Sequence, residues 1–340
     1  VLNVFTTGLQ RYTPYLSAKK LVNASKIISS YYYSKWLGQP VMRGLPVSIA
    51  IEPTTSCNLR CPECPSGLRS FTRATGMLDE DFFKEIIDQV CNHVMYLTFY
   101  FQGEPYLHPH FTGMVAYAVQ RGIFTATSTN AHFLDEENAA RTVQSGLNRL
   151  IISMDGTTQE VYGKYRIGGQ LEKVMEGTRN ILRKRSELNS ITPEVILQFL
   201  VMKPNEHQVE EVKHLGKELG ADNVWLKTAQ VYDYENGNEL IPDIEKYSRY
   251  KKFNGHYQIK NNLLNHCWKM WHSCVITWDG KVVPCCFDKD AGHQLGDLQK
   301  QSLTQIWESD AYRQFRSSLL KSRRQIDICT NCSEGTRVWS

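Results

Sequence analysis

No apolar run in the 340 residues approaches the ~18 needed for a membrane-spanning helix, which excludes an integral α-helical membrane protein. A strong charge of either sign is also missing. The 39 basic and 35 acidic residues leave a net of +4, too little to argue for a nucleic-acid partner. Glycine (22) and proline (12) are too sparse for a collagen-like or low-complexity chain, and 41% hydrophobic with 22% charged residues is ordinary globular composition. The first residues lack the basic segment, apolar core and small-residue cleavage site of a secretory signal. No acid–base dyad or Ser-His-Asp arrangement stands out. The length fits roughly two domains.

Cysteine is what the sequence has in excess. Nine of its ten cysteines fall into two groups, Cys57/Cys61/Cys64 and Cys267/Cys274/Cys285/Cys286/Cys329/Cys332, with Cys91 alone between them. A secreted disulfide scaffold would be shorter and more evenly stitched. Tight clusters separated by cysteine-poor stretches point to metal or Fe–S ligation in a reducing compartment, so a cytoplasmic location is expected.

Charge is also unevenly placed. Residues 1–45 hold six basic residues (Arg11, Lys19, Lys20, Lys26, Lys35, Arg43) and no acidic one, while 33 basic and 35 acidic residues lie beyond them, a net of −2. Within this arm Leu21, Ala24, Ile28 and Tyr31 or Tyr32 recur at helical spacing, with Lys19, Asn23, Lys26 and Ser30 opposite. Two readings follow: an interfacial helix giving peripheral contact with an anionic membrane, or a helix packed across the next domain with its lysines in water.

From Pro46 to about Val231 one unit repeats. Strands are expected at 46–52, 96–102, 124–130, 149–155, 195–202 and 223–230, rich in β-branched and aromatic residues. Helices are expected near 79–93, 109–121, 135–145, 171–188 and 206–219, with Asp79 and Asp135 as N-caps and Gly122, Gly146 and Gly220 as stops. Six β–α alternations imply an α/β fold with a parallel sheet closed or part-closed as a barrel. Chemistry then collects at the C-terminal ends of its strands.

Directly after the first strand, Cys57-Asn58-Leu59-Arg60-Cys61-Pro62-Glu63-Cys64 gives C-x3-C-x2-C. Three thiolates on one loop can hold three corners of a [4Fe–4S] cube and leave one iron open, whereas structural zinc takes four ligands. On this loop, in this place, the sequence resembles the radical S-adenosylmethionine (radical SAM) superfamily. The resemblance covers residues 46–340 and implies a partial (β/α)6 radical SAM barrel. It also implies a SAM-binding [4Fe–4S] cluster on Cys57, Cys61 and Cys64, and an enzyme that cleaves SAM reductively to a 5′-deoxyadenosyl radical. Gly103-Glu104-Pro105 looks like the motif that holds SAM's amino group. Ser128 and Asn130 end strand three, Ser153 and Asp155 end strand four, and Arg166 matches an arginine directed at SAM's carboxylate. The position before the third cysteine, aromatic in the family, is Glu63 here, which leaves adenine to other groups such as the backbone near Cys64 or Lys227–Gln230.

Val275–Val283 reads as a hairpin about Asp279-Gly280, and a helix is expected over 302–321. With Cys267, Cys285 and Cys329-x2-Cys332 around them, this C-x12-G-x4-C … C-x2-C layout resembles the SPASM/twitch extension, a small C-terminal cysteine-rich domain. The shorter twitch form with one auxiliary Fe–S cluster fits best, a [4Fe–4S] on Cys267, Cys285, Cys329 and Cys332. Cys274 and Cys286 are spares, Cys91 a core residue, and a zinc knuckle the rival for the whole group. Three regions result: the arm (1–45), the barrel (46–232) and the auxiliary-cluster domain (233–340). The leading expectation for function is oxidation or rearrangement of a small molecule, lipid-linked types included, with a peptide- or protein-modifying maturase as the alternative and a non-catalytic Fe–S or zinc scaffold third. A separate leader-binding module of ~80 residues, within the range of small domains, would not fit in residues 1–45. A reducing donor such as a flavodoxin or ferredoxin is implied. Asp288, two residues past Cys286, is a base candidate by position, against a solvated loop carboxylate. Glu194, Gln198, Lys227 and Gln230 are candidates to face the barrel mouth.

Overall fold

The computed structural model describes residues 12–335; residues 1–11, Arg11 among them, and 336–340 lie outside the described residues. The arm forms helix α1 (Ala18–Leu37), capped by Ser17 and ended by Gly38 in the left-handed conformation. It packs across the following domain, but on a face rotated from the one its apolar spacing suggests. Leu21 is 51% exposed, whereas Ala24, Ile27, Ser30, Tyr31 and Ser34 are buried. The small polar residues turn inward because they find partners there. The Ser30 hydroxyl accepts from Arg43 N and that of Ser34 from Val41 N and Trp271 Nε1, while the Tyr31 hydroxyl bonds His266 Nδ1 at 2.8 Å. Lys20 is buried too, its ammonium donating to the carbonyls of Tyr15 and Gly122. Val22, Tyr32, Tyr33 and Trp36 stay exposed on the outer face. Among the described residues no helix is long and apolar enough to cross a membrane.

The six expected strands form as β1 (Ser48–Ile51), β2 (Tyr96–Thr98), β3 (Phe124–Thr129), β4 (Arg149–Ser153), β5 (Glu194–Val201) and β6 (Asn223–Thr228). They pair in parallel and in sequence order. Between them run α2 (Glu80–Val90), α3 (Phe111–Gln120), α4 (Glu136–Gln144), α5 (Gln159–Tyr165), α6 (Leu171–Glu187) and α7 (Val209–Leu219). Asp79 accepts from Phe82 N and Asp135 from Asn138 N, as N-caps do. α2 shows how the helices attach: Phe83, Ile86, Ile87 and Val90 fall on one face and are all buried. Losing one such side chain, as in Phe83→Ala, costs about 3–5 kcal/mol. α5 is an addition to the expected helices; Thr158 caps it by accepting from Val161 N, and it delivers Arg166.

Beyond β6 a two-stranded hairpin, β7 (Tyr250–Phe253) and β8 (His256–Ile259), stands apart from the main sheet. The expected Asp-Gly hairpin forms as β9 (Ser273–Ile276) and β10 (Lys281–Val283). It does more than append a domain: β9 lies parallel to β1, Ser48 opposite Ser273 and Ile51 opposite Ile276. With β11 (Gly296–Asp297) on β10, the sheet has nine strands. The single helix expected over 302–321 is two, α8 (Leu303–Trp307) and α9 (Asp310–Ser322). A capping box of Ser302 and Gln305 starts the first, and Ser309 restarts the chain by accepting from Tyr312 N.

Candidate active site

The cysteine loop leaves the C-terminal end of β1 and is clamped against the loop after β2. Gly103 has φ +77°, and a Cβ there would stand 2.1 Å from the Thr54 carbonyl oxygen. Gly103 N donates to Ser66 Oγ at 2.8 Å and Glu104 N to the Ser56 carbonyl at 2.7 Å. Only glycine allows this approach, and it brings Glu104 to the cysteines. Cys57, Cys61 and Cys64 share one cavity of about 290 Å³ with Gly103, Glu104, Ser128, Asn130, Ser153 and Arg166. Residues from three further strand ends, those of β2, β3 and β4, and Arg166 from the end of α5 thus meet the three thiols.

Glu104 is buried, its carboxylate accepting from Thr129 Oγ1 (2.6 Å), Asn130 N (2.8 Å) and Tyr106 N (3.3 Å). Burial nonetheless pushes its pKa up to about 7, those hydrogen bonds only partly offsetting the loss of water. Arg166 donates from Nε to Asp155 Oδ2 at 2.5 Å and from Nη1 toward Cys61 Sγ at 3.8 Å. Asp155 is not on the cavity wall: its second oxygen accepts from Leu200 N at 2.7 Å, so it positions Arg166. Pro105 likewise starts a buried turn behind Glu104 and does not line the space. Burial raises the Cys57 thiol to about 12 and also raises Cys61, which Arg166 opposes. Thiolates therefore form here only against added positive charge, as from iron.

Tyr100, Gln198 and Lys289 also line the cavity. The strand-end rule predicts Gln198 by its place on β5; Lys289 arrives from a loop with no signal of its own. Glu63 takes up the backbone N–H of Tyr232 at 2.9 Å, and Lys227–Gln230 lie outside this wall. Glu194 opens β5 at the opposite end of the barrel, paired with Arg149, and so does not face the mouth.

In the C-terminal group, Cys267, Cys329 and Cys332 are buried and Cys285 half-buried. Cys285 is an electrostatic neighbour of Cys267 and Cys332, and Arg323 of Cys267, Cys329 and Cys332, its Nη2 3.2 Å from Cys332 Sγ. Cys267, Cys329 and Cys332 thus surround Arg323, and Cys285 neighbours Cys286 as well as Cys267 and Cys332. Cys274 is not among them: it is buried beside Tyr312 and Arg316. Cys286 is exposed, 3.9 Å from Lys269 Nζ, and Cys91 packs half-buried against the main core. Among the described residues no three Cys, His, Asp or Glu side chains close around a single-ion position. Asp288 is no base in this arrangement. It is 3% exposed, and its two oxygens accept from Gly292 N (2.8 Å) and His293 N (2.9 Å), fastening its own loop.

A three-thiol loop over a parallel barrel thus faces a buried acid, an amide, two serines and an arginine. A model of the radical SAM superfamily matches residues 51–216, and one of SPASM, an iron-sulfur cluster-binding domain, matches residues 267–333. The chain belongs to the radical SAM superfamily and carries a SPASM domain. It is 27% identical over 315 residues (83% of this chain, 86% of the relative) to the tungsten-containing aldehyde ferredoxin oxidoreductase cofactor-modifying protein of Pyrococcus furiosus. It is 24% identical over 319 residues (86% and 84%) to the PqqA peptide cyclase of Gluconobacter oxydans. The fold matches that of Streptococcus suis SuiB bound to S-adenosylmethionine, with a TM-score of 0.64 and 13% identity over 93% of this chain and 77% of that one. Its cofactors are accordingly a [4Fe–4S] cluster with SAM, and auxiliary Fe–S binding in the SPASM domain, which replaces the zinc reading.

Proposed function

We propose that this radical SAM enzyme modifies a peptide or protein substrate. This reverses the order in which the sequence ranked its two enzyme readings. What supports it first is a run of open clefts leading to the SAM site. A cleft of about 600 Å³ beside Tyr232–Gly237 shares Tyr234, Glu235 and Thr330 with one of about 640 Å³ along β8. That one shares Asn261 with a chamber of about 960 Å³ inside the barrel, which shares Tyr100 with the SAM cavity. Such a path suits an extended chain. The likeness to a peptide cyclase adds to it.

In this reading Cys57, Cys61 and Cys64 hold the SAM cluster, Glu104 takes SAM's ammonium, Arg166 its carboxylate, and Ser128, Asn130 and Ser153 line the wall. Cys267, Cys285, Cys329 and Cys332 hold one auxiliary cluster, and a flavodoxin- or ferredoxin-type donor supplies electrons. When bound, cluster and SAM supply one-electron cleavage of the S–C5′ bond and a primary radical able to abstract hydrogen. The chain's own work is to orient the substrate C–H at Tyr100 and to keep water out. As a test, 5′-deoxyadenosine formation by the anaerobically reconstituted enzyme is followed with a low-mass extract of the source cells, before and after exhaustive proteolysis. Stimulation should vanish with proteolysis. Stimulation that survives it would restore the small-molecule reading.

A further inference from the structure

The barrel chamber carries an excess of positive charge. Five cations, Arg149, Lys227, Arg249, Lys260 and Lys269, line it against one carboxylate, Glu334. Three of these have partners: Arg149 pairs with Glu194 at 2.8 Å, Lys269 with Glu334 at 2.5 Å, and Lys260 lies 3.7 Å from Glu245. Lys227 and Arg249 pair with no carboxylate among the described residues. Lys227 stands 5.6 Å over the Trp225 ring. Arg249 donates once, from Nη2 to the Thr228 carbonyl at 3.2 Å, while its Nε and Nη1 are buried without an acceptor. Buried donors left unpaired are rare in folded proteins and mark places where something else is bound.

Charged neighbours account for these two cations only in part: Arg249 lies among Glu334, Cys332 and Cys286, and Lys227 near Glu334, yet neither forms an ion pair with them among the described residues. The guanidiniums of Arg166 and Arg323 already point at Cys61 and Cys332, and Lys269 at Cys286. Each free N–H of the Arg249 guanidinium can donate to a carboxylate oxygen, and a nearby ammonium adds a second point of attraction. Lys289, on the adjoining SAM cavity and 4.6 Å over the Tyr232 ring, extends the positive wall toward the cysteines.

We infer that the chamber recognises a carboxylate-bearing segment of the substrate, with Arg249 and Lys227 as its anchors; this rests on the peptide reading above. An acidic side chain held there fixes the register of the chain and sets a neighbouring residue at Tyr100, the wall common to chamber and SAM cavity.

The test uses the full-length, anaerobically reconstituted enzyme with SAM and two fluorescein-labelled probes, octaglutamate and octaglutamine, read by anisotropy at 0.15 M salt. Octaglutamate should bind at least tenfold tighter. Arg249→Gln and Lys227→Gln should each weaken it roughly tenfold, the size of a lost hydrogen bond to a charged group, at unchanged iron content. Lys26→Gln, on the arm, should leave it unchanged. Should Arg249→Gln not fold, Lys227→Gln decides, since the exposed Lys227 side chain makes no hydrogen bond among the described residues. Equal affinity for the two probes, or equal loss in Lys26→Gln, overturns the inference. So does displacement of octaglutamate by inorganic phosphate at lower concentration than by a glutamate dipeptide. If glutarate displaces it as well as the dipeptide, carboxylate recognition stands and the peptide reading falls.

Discussion

Replacing Glu104 by Gln separates what the buried carboxylate does for SAM from what it does to the fold. Holding it ionised is costly: its pKa moves from 4.5 to about 7, roughly 3 kcal/mol at about 1.4 kcal/mol per pH unit. The amide in Glu104→Gln would remove that cost, yet it sets an NH2 against one of the N–H and O–H groups that now donate to the carboxylate. An unmatched buried donor costs about 1–3 kcal/mol. The two effects oppose, so apo stability at pH 8 should change by less than about 2 kcal/mol, while the charge-assisted bond to SAM's ammonium, about 1.5–3 kcal/mol, is lost outright. SAM affinity should therefore fall roughly ten- to a hundredfold. The pH dependence has a definite sign. Because the folded pKa is raised, the ionisation cost is absent below pH 4.5 and complete above about pH 7, so the apo protein loses that stability as pH rises. SAM affinity runs the other way, falling in the wild type as pH drops below about 7 and staying flat in Glu104→Gln. Calorimetric SAM titrations at about pH 6, 7 and 8, with thermal unfolding of the same samples, read both. Affinity within about threefold of wild type in the variant, or a wild type indifferent across that range, would refute the assignment.

Iron and sulfide analysis of the reconstituted protein should give about eight irons, falling to about four when Cys57, Cys61 and Cys64 are all changed to Ala; an unchanged count would mean the loop holds no cluster. Gly335→Ala should cost the other four, since at φ +81° its Cβ would lie 2.2 Å from Cys267 Sγ; full iron in that variant would remove Cys267 from the ligand set. Asp155→Asn should weaken SAM binding roughly tenfold by freeing Arg166, and Asp155→Asn/Arg166→Ala should bind no worse than Arg166→Ala alone; additive losses would give Asp155 its own contact with SAM. Asp288→Asn should lower stability by about 1–2 kcal/mol while 5′-deoxyadenosine formation stays near wild type, and a loss of turnover at normal iron content would restore Asp288 as a base.

The barrel was legible because its signals are local. β-Branched runs, capping aspartates and stop glycines each lie within a few residues of the structure they specify, as with Asp79 before α2 and Gly146 after α4. The cysteine loop was legible for the same reason. What was hidden depends on distant partners. Nothing in Ser273–Ile276 says that it will lie beside Ser48–Ile51, more than 200 residues earlier. The face that α1 buries was decided by Val41, His266 and Trp271, which satisfy Ser34 and Tyr31 and draw them in past Leu21. Asp288 and Asp155 show the same limit for site residues. Position in sequence brings a carboxylate near the chemistry, but its hydrogen bonds decide whether it faces the cavity, and here both are spent on backbone or arginine.

Because β9 pairs with β1, the two cysteine groups are fixed relative to one another. The Cys57–Cys64 loop hangs from the end of β1. Cys267 and Cys285 flank the open end of the β9–β10 hairpin, Cys267 entering β9 and Cys285 leaving β10. Both groups are therefore tied to neighbouring strands of one hydrogen-bonded sheet, and no flexible linker sets their separation. Lys281 opposite Asp297, joined by an ion pair at 2.8 Å, continues the sheet to β11. A domain held this way cannot swing to admit substrate without breaking the β1–β9 ladder. Of the sheet's two edges, β11 and β6, we infer that substrate enters at β6, beside the β7–β8 hairpin, where Lys227, Arg249 and the clefts lie.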